Sequence, residues 1–205
     1  MEIELKYLID DEKVADEIFA DDYIESIRDT KEECVDMDAI YYDTADRSLT
    51  GQEMAFRIRR EGTSHVATLK WDGTSDNGMH KRQEINVPVS DEKLIEQPEI
   101  TIFDQSDMSD VLAAVCGSRK LLPLIEVSFV RRVIRLDTGK SISELSVDRG
   151  EIIAGGKKSP VLELEIELFS GNEKEIVDIG NKLSEKYHLK PENKSKFERG
   201  YELLP

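Results

Sequence analysis

The sequence predicts an α+β fold in which an antiparallel sheet dominates and a few helices flank it. Eight segments alternate apolar and polar residues with the two-residue period of a half-buried strand. Turns rich in Gly, Asp, Asn and Ser separate many of these segments, which favours antiparallel pairing of consecutive strands. Eight strands are also enough to close a barrel around a ligand-sized interior.

The predicted strands run along the whole chain, beginning with MEIELKYLI at the N-terminus. In that stretch Glu2, Glu4 and Lys6 share one face, because strand side chains point alternately to opposite sides. Taken alone, this is the pattern of an ordinary strand with one face in water. The predicted strands are residues 2–9, 40–43, 55–61, 65–73, 82–89, 124–137, 143–153 and 161–169.

Three segments carry apolar residues at helical spacing, namely residues 11–21, 107–116 and 173–187. No repeat, low-complexity tract or long linker divides the chain. We therefore expect residues 1–205 to form a single domain.

Composition restricts the function. The 205 residues carry a net charge of −16, which argues against nucleic acid or an anionic membrane surface as the main partner. Two cysteines and three histidines stand in no zinc-ligand spacing. With no signal peptide and no apolar run of about 20 residues, the expected location is the cytoplasm.

The charged faces of the predicted strands are sorted by sign. LELEIEL (162–168) places three glutamates on one face, and FRIRR (56–60) places Arg57 and Arg59 together. A solvated face is the simpler interpretation, but like charges on one sheet face repel each other. Grouped acids suit a hard divalent metal and grouped arginines suit phosphate, a combination typical of phosphoryl-transfer sites.

The order of these motifs resembles the CYTH superfamily, also called the triphosphate tunnel metalloenzymes. The first strand carries its ExExK signature, and the similarity covers essentially the whole chain. The other matching segments are YYDTADRSL (41–49), MAFRIRREG (54–62), ATLKWDG (67–73), RQEINV (82–87), SVDRGEIIAG (146–155), PVLELEIEL (160–168) and SKFERGYELL (195–204).

The resemblance implies an eight-stranded antiparallel β-tunnel, a barrel with inward-pointing charges and flanking helices. It implies a metal-dependent hydrolase of triphosphates that uses Mg²⁺ or Mn²⁺, with inorganic triphosphate as the expected substrate and orthophosphate as a product. Thiamine triphosphatase and class IV-type adenylate cyclase, which forms cyclic AMP and pyrophosphate from ATP, are the enzymatic alternatives. A non-catalytic binder of polyphosphate or nucleotide is the third class.

The resemblance also implies roles for individual residues. The expected catalytic group is Glu4, Lys6, Glu165 and Asp148. The expected metal ligands are Glu2, Glu4, Glu163, Glu165 and Glu167. The expected substrate-binding residues are Lys6, Arg57, Arg59, Lys70, Arg82, Arg131, Arg132 and Lys196.

Some assignments stay open at this level. Arg131 and Arg132 are adjacent, so at most one of them points inward in a regular strand. Phe129 stands where a second inward base is expected, and the orientation of Arg82 and Glu84 is not settled. Arg199 is expected to tie down the C-terminus. The choice of metal, the physiological substrate and the presence of a homodimer are also left open.

Overall fold

The computed structural model describes residues 1–205 and contains a closed antiparallel sheet. Its strands are β1 (Glu2–Leu8), β2 (Glu33–Asp43), β3 (Ala55–Glu61), β4 (Ser64–Asp76), β5 (Met79–Val89), β6 (Leu122–Asp137), β7 (Ser141–Ala154), β8 (Lys157–Gly171) and β9 (Lys190–Pro191). Neighbours follow the order β5-β4-β3-β2-β6-β7-β8-β1, and β1 pairs again with β5 to close the barrel. The predicted eight-stranded antiparallel barrel is confirmed, and the two-residue β9 adds a short pairing to β1.

Two hairpins show how local sequence builds the barrel. Asn77 and Gly78 both have positive φ (49° and 80°) and join β4 to β5 where Asp76 pairs with Met79. Gly155 and Gly156 (57° and 74°) join β7 to β8 in the same way. Two consecutive left-handed residues form the tight turn that matches strand twist, so these turns set the register of the strands they connect.

The helices lie outside the barrel or at one of its ends. They are α1 (Glu12–Phe19), α2 (Asp22–Ile27), α3 (Glu92–Glu96), α4 (Ser109–Cys116), α5 (Glu173–Tyr187) and α6 (Lys196–Tyr201). The predictions of α1, α4 and α5 are confirmed, whereas α2, α3 and α6 have five or six residues and are too short for a periodic pattern. None of the helices combines the length and the apolar composition that a membrane-spanning helix requires.

Three apolar clusters hold these elements together. The first packs α1, α2 and α5 against the outer faces of β1 and β6–β8, and the second packs α4 against β2–β5. The third lies inside one end of the barrel, where α6 places Phe197 against β2 and β6. Because apolar residues fill that end, the inward-pointing charged residues of the strands lie in the middle of the barrel.

Candidate active site

The polar faces of the strands turn inward and surround a cavity of about 170 Å³. Charged side chains from β1, β3–β6 and β8 line it, and Lys196 of α6 reaches it from the apolar end. The alternation of β1 therefore has a structural reason. Its polar face looks into the barrel, where Glu4 is 4% and Lys6 only 2% exposed.

The charges of β1 are stabilised by their neighbours in the barrel. Burial alone would raise the pKa of Glu4, but Lys6, Arg82 and Lys70 outweigh that effect and hold it at about 2. The ammonium of Lys6 lies 3.6 Å from Glu4 and 3.2 Å from Glu165. Both β1 side chains are thus charged, although both are almost completely buried.

Asp148, Glu163 and Glu165 bring three carboxylate oxygens within 4.8 Å of one another, close enough to hold a metal ion. The Lys196 ammonium contacts all three of these acids, with Nζ 2.7 Å from Asp148 and 3.0 Å from Glu165. Burial alone would lower the pKa of Lys196, but the three carboxylates outweigh it and raise the pKa. One ammonium balances only part of the negative charge, and Lys6, Arg131 and Arg199 pair with acids of the triad as well.

A second group of acids includes a carboxyl group that no basic residue contacts. Glu4 pairs with Glu167 across β1 and β8, and Glu2 lies two residues before Glu4 on the same face. Glu167 forms no ion pair, and burial together with the charges of Glu2 and Glu4 raises its pKa to about 8. Near neutral pH such a group is largely an uncharged carboxylic acid. A divalent cation would favour its ionised form, because carboxylate oxygens suit Mg²⁺ or Mn²⁺ and a ligand must be deprotonated to bind the metal.

Arg57 and Arg59 lie on the opposite wall and have few anionic partners. Arg57 donates only to the hydroxyl of Tyr41 (3.4 Å), and its buried Nε has no partner. Arg59 pairs with Glu61 alone. Burial and the nearby charges of Arg57 and Arg131 lower the pKa of Arg59. These two arginines form a cationic surface that an anion would stabilise.

Lys70, Arg82 and Glu84 all line the cavity, which answers the open question about the orientation of β5. Lys70 lies 2.6 Å from Glu2 and from Glu84, and Arg82 binds both Glu2 (2.7 Å) and Glu4 (2.5 Å). Lys70 therefore bridges an acid of β1 and an acid of β5, whereas Arg82 binds two acids of β1.

Arg131 and Arg132 point in opposite directions. Arg131 donates to Asp148 at 2.7 Å and to Glu165 at 2.5 Å inside the barrel. Arg132 instead binds Asp16 and Glu32 on the outer surface and stacks over Phe19. The inclusion of Arg132 among the candidate phosphate-binding residues is therefore corrected, because strand alternation directs it outward.

Arg199 was expected to tie down the C-terminus. It binds the fully buried Glu163 and so anchors α6, the last helix, to the barrel wall. Tyr41, which was not among the expected site residues, also lines the cavity. Its place on an alternating strand was the feature of the sequence that could have predicted this position.

The model of the CYTH domain family matches residues 1–201, and the chain belongs to this family. The inorganic triphosphatase of Haemophilus influenzae is 31% identical over 164 residues, which are 78% of this chain. The match covers 44% of that protein, so the chain spans less than half the length of this curated relative.

Solved structures share the fold. One is a protein from Hippeastrum that is described as a putative adenylyl cyclase with dominant triphosphatase activity. It is 17% identical to this chain with a TM-score of 0.75, and the match covers 100% of this chain and 97% of that chain. A putative adenylate cyclase from Bacillus halodurans is 18% identical with a TM-score of 0.63, covering 97% of this chain and 96% of that chain. At these identities the similarity concerns the fold alone.

Proposed function

We propose that this chain binds a linear triphosphate inside the barrel and hydrolyses it, with inorganic triphosphate as substrate and Mg²⁺ or Mn²⁺ as cofactor. The observation that carries the proposal is the half-buried pair Arg57 and Arg59, which forms a cationic wall opposite an acidic one. Phosphoryl transfer needs such an arrangement, because its catalysis consists largely of positioning and charge neutralisation. The similarity to an inorganic triphosphatase supports this substrate.

The residues divide into two roles under this proposal. Arg57, Arg59, Lys70, Arg82 and Arg131 hold phosphate oxygens from several directions and keep the chain of phosphates extended. Lys6 and Lys196 contribute further positive charge at the end closed by α6.

The acids would hold the cofactor. Glu2, Glu4 and Glu167 have the donor chemistry for a divalent cation, which would supply charge neutralisation at the phosphate and activation of water. Glu165 is the member of the acidic triad that also lines the cavity. It is held ionised, since Lys196, Lys6 and Arg131 lower its pKa against the effect of burial.

A second candidate is an organic triphosphate such as thiamine triphosphate or ATP, the latter including a cyclase reaction. A cavity of about 460 Å³ adjoins the first one and shares Lys70, Arg82 and Phe197 with it. Trp71 and Tyr201 also line this space, which gives an aromatic group attached to the phosphates room to bind.

Product analysis tests the proposal. Purified protein is incubated with inorganic triphosphate, thiamine triphosphate or ATP, each with Mg²⁺, Mn²⁺ or EDTA, in parallel with the Glu4→Gln variant. We expect orthophosphate from inorganic triphosphate with metal, and a loss of at least 100-fold in the variant, which keeps the side-chain size but loses a charged ligand.

The other outcomes separate the alternatives. Orthophosphate released only from thiamine triphosphate would replace the substrate, and cyclic AMP with pyrophosphate from ATP would replace the reaction. Tight binding of triphosphate without turnover of any of the three compounds would make the barrel a binding module and reject the hydrolase.

A further inference from the structure

Arg57 differs from every other cation of the cavity in its partner. Lys6, Lys70, Arg82, Arg131 and Lys196 each lie within 3.2 Å of a carboxylate oxygen. Arg59 is bound to Glu61. Arg57 has no carboxylate partner, its Nη1 donates to a phenol, and its Nε is buried without any partner. A half-buried guanidinium held in this way keeps its charge available for a ligand.

The phenol belongs to Tyr41, which lies opposite Arg57 in the β2–β3 ladder. Its side chain is 5% exposed, and its ring packs against Phe197 of α6 with centroids 5.2 Å apart. The ring is thus fixed by packing, and its hydroxyl is presented to the cavity. A neutral hydroxyl accepts a hydrogen bond without neutralising the donor, whereas a carboxylate at this position would form an ion pair.

Carboxylates are nevertheless available in the same cavity, since Glu2 and Glu84 line it together with Arg57. An arginine side chain without a restraint would turn toward one of them, because a charge-assisted pair is stronger than a bond to a phenol. The Tyr41 hydroxyl, 3.4 Å from Nη1, is the one hydrogen-bond partner of the Arg57 side chain.

We infer that Tyr41 is a positioning residue for phosphate recognition, whose hydroxyl holds the Arg57 guanidinium at the cavity wall as an unpaired cation. Tyr41 acts through Arg57 and does not itself contact the phosphate chain. This inference rests on the proposed function, because it assumes that a triphosphate occupies the cavity.

The test is a double-mutant cycle in triphosphate binding, measured by calorimetry in EDTA so that no turnover is needed. Tyr41→Phe removes the hydroxyl and keeps the ring on Phe197, and we expect its Kd to rise three- to tenfold. In an Arg57→Gln background the same substitution should have no further effect. Tyr42→Phe is the matched control, because Tyr42 points to the outer core and packs on Phe56.

Steady-state kinetics adds a second readout. In Tyr41→Phe we expect KM to rise by a similar factor while kcat changes less than twofold, a split that general loss of structure would not produce. Wild-type affinity in Tyr41→Phe would overturn the inference, as would an equal effect in the Arg57→Gln background, which would mean direct contact with phosphate. Binding in EDTA without hydrolysis after metal is added would reject the proposed function alone. No binding by the wild type in EDTA would reject the inference, and no turnover with metal as well would reject both.

Discussion

Removing the ammonium of Lys196 should produce a large loss of stability that a metal ion restores. Lys196→Met keeps the length of the side chain on α6 but deletes the charge. Asp148, Glu163 and Glu165 then lose the cation that all three contact, although Lys6, Arg131 and Arg199 still neutralise part of the triad. All three carboxylates are buried, so water cannot replace the lost partner.

The magnitude follows from the burial. Removing one partner of a buried ion pair costs about 3–5 kcal/mol, because the remaining charge stays desolvated. Lys196 is 7% exposed and Glu163 is fully buried, so solvent screening does not reduce this figure. For a chain of this length, about 1 kcal/mol corresponds to roughly 2–4 °C in Tm. We therefore expect Tm to fall by about 6–20 °C in EDTA.

Thermal unfolding followed by circular dichroism, with EDTA or Mn²⁺, measures the effect. Mn²⁺ should stabilise Lys196→Met more than the wild type, since the vacated triad offers three oxygen ligands within 4.8 Å. Lys194→Met is the control, because Lys194 is exposed and pairs with Glu202 at the surface, where an ion pair contributes about 0–1 kcal/mol. Equal Tm losses in the two variants, or an equal response to Mn²⁺ in wild type and Lys196→Met, would refute the reasoning.

Two further predictions concern Glu167 and the arginine pair. The pKa of Glu167 in the folded protein, about 8, lies above the usual glutamate value of 4.5. The native state therefore binds more protons than the unfolded chain, and the metal-free protein loses stability as pH rises between these values. Glu167→Gln should therefore raise Tm at pH 9 and leave it nearly unchanged at pH 5 in EDTA; a gain that does not depend on pH would contradict this assignment. Arg131→Gln should lower kcat/KM for triphosphate at least tenfold, while Arg132→Gln stays within twofold of wild type because its partners are on the outer surface. Equal losses in the two arginine variants would place both side chains in the same environment and reject the assignment.

Several features of the barrel were predictable because they depend on local sequence. Alternation sets which side chains of a strand share a face, and β3 was predicted with its observed bounds, Ala55–Glu61. To predict that Glu4 and Arg57 point inward, only one further assumption was needed, namely that the charged faces of the strands meet inside a closed sheet. The family resemblance supplied that assumption, and the barrel was then confirmed.

The first part of β2 shows where local pattern fails. Residues 33–39 belong to the strand but were not predicted, because Glu33, Asp36 and Asp38 weaken its apolar signal. The inward residues of the strand, such as Met37 and Tyr41, pack only after the barrel closes and α6 covers one end. Their contribution depends on tertiary contacts that a strand pattern does not contain.

By itself, the sequence determined which residues are acidic or basic and which of them share a strand face, since both are local properties. It could not determine how their charges are balanced. Glu163 and Glu167 lie on the same face of β8, yet Glu163 meets Lys196 and Arg199 from α6, whereas Glu167 meets Glu4 from β1. Only strand order, register and helix docking bring these distant residues together, and in a buried interior the nearest partner decides whether a carboxylate is neutralised or left available to a ligand.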